Sequence, residues 1–240
     1  MSRLSRFARV AIHPEPELGL KDTGLHYTDI LFGFVIHELF IRIQNWPSLD
    51  SAVKWHLVAG TVLVLGSWIG YHRSRNRPAY EVKFFNLPLF GFVVDQLMLI
   101  LYFRIAILTP ITGPASPDWA FVVRSTLRLV TFVFVLYLTW DLLALWMATA
   151  RRTDEKGRTV PRYPAVRDEV ITDRPALRDA AGILITVLAL LLLAALWISA
   201  NRSEPRWVLP GVILILLAYR WAKEIRTSYR LSSAQGRRPG

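Results

Sequence analysis

An ionisable side chain inside a long apolar run is costly, so each one found there marks either a buried partner or a path for ions. This 240-residue sequence holds several, and they concentrate between residues 27 and 45. At 100° per residue, His26, Asp29, Gly33, His37 and Gln44 fall within about 60° of one line and make a polar stripe. A second line carries Phe34, Glu38, Ile41 and Asn45, with Arg42 one helical turn after Glu38 and able to pair with it. Two readings are open. In the first, neighbouring helices satisfy both stripes, with Arg42, Asp95 and Arg104 as buried charge partners. In the second, one stripe lines an ion pathway. Asp29, beside His26 and on the stripe of His37, is expected to pair within one chain.

Other chemistries lack their residues. There is no cysteine, so disulfides, thiolate metal sites and cysteine nucleophiles are excluded. No phosphate-binding glycine loop, serine-hydrolase elbow or calcium loop occurs, and His37-Glu38 lacks the second histidine that a zinc-protease helix needs. A haem held by His37 and His56 gains no support from the later apolar segments, which contain no histidine. The expectation is a protein that is not an enzyme, with no catalytic residue, metal ligand or cofactor.

The elements that position these groups follow from composition. The chain is 53% hydrophobic and only 20% charged, with a mean hydropathy of +0.33. A spanning helix needs about 20 mostly apolar residues, because the hydrocarbon core is about 30 Å thick and a helix rises about 1.5 Å per residue. Six segments meet or approach that length, at about 27–45, 53–71, 87–108, 120–148, 180–200 and 207–222. The predicted class is therefore an all-α integral membrane protein of six transmembrane helices joined by short loops. The net charge of +11 would suggest nucleic acid in a soluble protein, but here the basic residues cluster between apolar runs and no nucleic-acid partner is expected.

Loop charge orients the helices. With the N-terminus inside, the inner segments carry 22 Lys and Arg and the outer loops three, namely Lys54, Arg202 and Arg206. Because basic loops stay cytoplasmic, both termini are predicted inside. Trp46, Trp55, Trp119 and Trp207 fall at outer ends and Trp68, Trp146 and Trp221 near inner ones, as interfacial anchors should. The parts are then a basic N-terminal tail (1–26), the helical domain (27–225) with a polar cytoplasmic loop at 149–178, and a disordered basic tail (226–240). Gly66-x-x-x-Gly70 permits a close helix contact.

The first three segments resemble the TMEM175-like family of six-helix cation channels, found in bacteria as single-repeat subunits. Tyr27-Thr28-Asp29 stands where the family's first helix has Phe-Ser-Asp. The run Trp68-Ile69-Gly70-Tyr71-His72-Arg73 is similar to its Trp followed by His-His-Arg, and Asn86-Leu87 fits the start of its third helix. Thr23 stands where that signature has arginine, and Ile30 where it has a small residue. The resemblance, over residues 27–101, implies a homotetramer in the bacterial inner membrane that passes monovalent cations of the potassium type. Helix one would surround the axis, with its rings falling on Phe34, on the His37-Glu38 turn and on Ile41. Asp29 and His72 would belong to a polar cluster joining helix one to the next two. The alternative is a six-helix membrane scaffold or effector subunit that docks a soluble cytoplasmic partner through the 149–178 loop.

Overall fold

The computed structural model describes residues 20–73, 87–108, 118–149, 151–153, 159–161, 175–202 and 207–235. Six long helices account for nearly all of them: α1 Leu20–Gln44, α2 Ser51–Arg73, α3 Leu87–Ile107, α4 Trp119–Thr149, α5 Pro175–Arg202 and α6 Val208–Gln235. The fold is thus all-helical, apart from a pair of three-residue antiparallel strands, β1 Arg151–Thr153 and β2 Thr159–Pro161. That ladder lies within the predicted 149–178 connector.

Four helices contain stretches long and apolar enough to cross a bilayer: 51–72 in α2, 90–107 in α3, 119–146 in α4 and 180–201 in α5. This is the make-up of a multi-pass membrane protein. α1 and α6 are long enough, but they carry more polar and charged residues over their described lengths. Predicted boundaries change at three helix ends, and α5 begins at Pro175, inside the predicted 149–178 loop. α1 begins at Leu20, so 20–26 belong to the helix and not to a tail, and α6 runs to Gln235, so the tail read as disordered from 226 begins as helix. In α6, helix-forming Lys, Glu, Arg, Leu, Ala and Gln residues carry the backbone past the end of the apolar run. Residues 1–19, 236–240 and most of 149–178, together with Asn86, lie outside the described residues.

The helices begin and turn where local chemistry allows. Asp118 caps α4: its carboxylate accepts from the Ala120 N–H at 3.2 Å and its carbonyl from the Val122 N–H at 3.1 Å. Between α1 and α2, Pro47 sits in a single tight turn, Trp46–Ser48, and the Ser48 hydroxyl donates to the Asn45 carbonyl at 2.8 Å.

α1 packs on α2 and α3, α4 on α3 and α5, and α6 on α2 and α5. Leu57, Tyr102, Leu127, Phe134, Leu193 and Leu209 fill the centre and are fully or almost fully buried. A Cβ added at Gly60 would lie 3.0 Å from the Ile105 methyl, so α2 approaches α3 through that glycine. The Gly66-x-x-x-Gly70 pair serves a related purpose. Arg220 of α6 lies across both glycines, and its guanidinium occupies the space a Gly70 side chain would take. The close contact is therefore between a long side chain and a smooth helix surface.

Candidate functional site

α1 is held by one seam. Thr28, Phe32, Val35, Leu39 and Arg42 recur at alternating spacings of four and three and are all buried. The opposite side carries Ile30, Gly33, Phe34, His37, Phe40 and Gln44, all exposed. Nothing lies within 4 Å of the point where a Gly33 side chain would begin. Both sequence-predicted stripes thus fall off the packed seam, and the chain satisfies them only at their edges.

Asp29 marks one edge. Its Oδ1 lies 3.0 Å from Nε2 of His72 on α2, an ion-pair distance, with both side chains about one third exposed. The two residues that the sequence placed in one polar cluster are brought together here, near the N-terminal half of α1. His72 also meets the rings of Trp68 and Tyr71 edge-on. Asp29→Ala is expected to cost about 1 kcal/mol, the worth of a partly exposed pair. Thermal unfolding in detergent checks this, and an unchanged midpoint rejects the pairing role.

Glu38 marks the other edge. Its Oε2 lies 3.6 Å from a guanidinium nitrogen of Arg42, while Nε of Arg42 donates to the carbonyl of Ala106 in a close contact. Ala106 lies in the last turn of α3, where carbonyls have no partner within their own helix and the helix dipole is negative. Arg42 is therefore seated on the end of α3 and touches Glu38 from there. Its side chain is 7% exposed and that of Glu38 is 27%. Phe34 and His37 are exposed and Ile41 is half-buried, so the proposed ring positions lie on or beside the open face. Asp95 is half-buried on α3. Arg104, expected as a buried partner, is instead exposed on the same helix, one turn from the end that Arg42 caps.

Two polar sites were not foreseen. His56 of α2 is completely buried, with Nε2 2.9 Å from the Ile105 carbonyl and Nδ1 2.7 Å from the Thr126 hydroxyl of α4. A carbonyl only accepts, so Nε2 carries hydrogen. Both ring nitrogens are engaged, which leaves neither for a haem iron. His56 and Arg42 together cap two successive carbonyls at the end of α3.

The second site joins α4, α5 and α6. Lys223 donates to Asp141 Oδ2 at 2.8 Å and to the Gly182 carbonyl at 3.2 Å. The Thr186 hydroxyl lies 2.7 Å from the same Asp141 oxygen and 3.5 Å from the Tyr219 hydroxyl. Tyr219 stacks on Tyr137 at 5.7 Å and 3°, and the Tyr137 hydroxyl meets those of Tyr102, at 2.9 Å, and Ser67. A signal for this site was available, because Asp141 is a lone carboxylate in an otherwise apolar stretch and such a group requires a partner.

No protein-family model matches the chain, and no curated protein or solved structure matches it either.

Proposed function

We propose that this chain is one subunit of a homo-oligomeric, cation-conducting protein of the bacterial inner membrane, with six spanning helices, both termini cytoplasmic and α1 facing the conducting path. One observation carries the reading. α1 has a buried seam on one side and, on the other, an open face where Gly33, His37 and Gln44 interrupt Ile30, Phe34 and Phe40. A helix with this face is poorly suited to lipid, since its polar groups would be left without partners in hydrocarbon. Copies of the same face around an axis, enclosing water, satisfy it. Symmetric closure of identical subunits is the usual way such a surface is covered.

In that arrangement Phe34 and Ile41 supply apolar rings, and His37 and Glu38 a polar turn between them. The tetramer comes from the family resemblance of the first three helices. The carboxylate of Glu38 meets Arg42 only at 3.6 Å and is more exposed than its partner, so it retains negative field toward the open side. Rings of carboxylates of this kind favour cations in pores.

The test is flux from purified protein in liposomes under K⁺ and Na⁺ gradients. Wild-type protein is expected to conduct, and Glu38→Gln to reduce cation flux or change the K⁺/Na⁺ ratio at matched incorporation. Absence of wild-type flux rejects autonomous conduction. Unchanged flux and selectivity in the variant reject the ring role of Glu38. Gly33→Leu separates folding from assembly: the single chain has room for the side chain, so a folded monomer is the expected product if this face is the subunit interface.

A further inference from the structure

The polar site joining α4, α5 and α6 has the composition of a cation site. Asp141 Oδ2 of α4 and the Gly182 carbonyl oxygen of α5 are hard oxygen donors at one place, Thr186 Oγ1 lies within 3.1 Å of both, and the Tyr219 ring of α6 faces the same place. The charge at that place is the Lys223 ammonium, held at 2.8 Å and 3.2 Å by two of those oxygens and lying 5.4 Å from the centre of the Tyr219 ring. An ammonium over an aromatic face with carboxylate and carbonyl oxygens beside it is bound as a free cation would be.

We propose that this is a monovalent-cation site whose resident ion in the wild-type chain is the protein's own Lys223 ammonium, and which takes potassium, sodium or ammonium ion when that side chain is withdrawn. The valence follows from the donors. One carboxylate balances one positive charge, whereas a divalent ion bound by protein calls for a richer set of charged oxygens. Thr186 is already committed, because its hydroxyl is 2.7 Å from Asp141 Oδ2 and 3.1 Å from the Gly182 carbonyl, and this holds the two strongest donors in register. Asp141 and Lys223 are each only about one fifth exposed, so a pair broken by removing one member leaves a charge that attracts a replacement. The site lies away from α1 and does not depend on how that helix is used.

Lys223→Ala removes the tethered ion and leaves its space. Thermal unfolding of the full chain in detergent micelles, followed by tryptophan fluorescence, is compared in chloride salts of potassium, sodium, ammonium and N-methylglucamine at matched ionic strength. N-methylglucamine is too large to enter. The midpoint of Lys223→Ala is expected to rise by about 3 °C or more in at least one small cation over N-methylglucamine. Wild type and the double variant Asp141→Asn, Lys223→Ala should show no such difference. Lys223→Ser serves as a second probe of the vacated space. Recovery of folded protein only in a small-cation salt also supports the site. A flat response in both single variants, an equal response in the double variant, or failure to recover either single variant in every salt overturns it.

Discussion

His56→Ala is expected to lower the stability of the bundle by about 3–5 kcal/mol. Two losses add. The ring is fully buried between α2, α3 and α4, so its removal opens a cavity, at about 2–4 kcal/mol for a side chain smaller than phenylalanine. The hydrogen bonds to the Ile105 carbonyl and the Thr126 hydroxyl are also lost, at about 1 kcal/mol in all, because each group keeps a second partner: the Leu108 N–H at 3.4 Å and the Val122 carbonyl at 2.6 Å. His56→Phe distinguishes the two. It refills the volume but returns no hydrogen bond, so it should fall between wild type and alanine. Pairing His56→Phe with Thr126→Val removes both members of the side-chain hydrogen bond, and should cost less than the two single changes added together. Unfolding in a denaturing-detergent titration measures all of them. If phenylalanine is as stable as histidine, the ring serves as filler and the polar contacts carry nothing.

The histidine also illustrates what was legible in the sequence. The existence of six helices is written in runs of apolar residues near the length of a bilayer crossing, and each run is a helix here. The ends were harder to read. α5 starts at Pro175, five residues before the charge-free stretch, and α6 continues thirteen residues beyond Ala222. Apolarity reports where hydrocarbon would be, while the helix continues wherever the residues tolerate it. The Glu38 and Arg42 pairing was visible because it is local, one turn along a single helix. Contacts made to backbone carbonyls were not. Neither Ala106 nor Ile105 carries a side-chain signal, yet their oxygens at the end of α3 are what Arg42 and His56 bind. Asp141 and Lys223 are 82 residues apart, and no spacing rule within one helix connects them. The seam of α1 was obscured for a different reason. Its stripe contains Thr28 and Arg42, so polar residues lie on the packed side as well as the open one, and polarity alone does not tell the two apart.

Of the ion pair on α1, Arg42→Met should be the more costly change, at about 3 kcal/mol, and Glu38→Gln should cost under about 1 kcal/mol. The inequality follows from where Arg42 is seated. Its strongest contact is the Ala106 carbonyl at the negative end of α3, and its approach to Glu38 is longer. Removing Glu38's charge leaves the guanidinium on α3 with a neutral amide nearby, which remains a serviceable acceptor. Removing the guanidinium strands both the carbonyl and a partly buried carboxylate, the situation in which breaking an ion pair costs more than the pair contributes. Adding Glu38→Gln to Arg42→Met should therefore restore about 1 kcal/mol or more, since the second change discharges the group the first one orphaned. Stability of the four proteins in one denaturing-detergent series gives the coupling directly. Equal costs for the two single variants, with no recovery in the double, would mean that the salt bridge itself secures α1 and that Glu38 is a structural group. The expected asymmetry instead assigns the anchoring of α1 to Arg42 and the end of α3. It leaves the carboxylate of Glu38 dispensable for folding, so any effect of Glu38→Gln on ion flux then reports on the path and not on the fold.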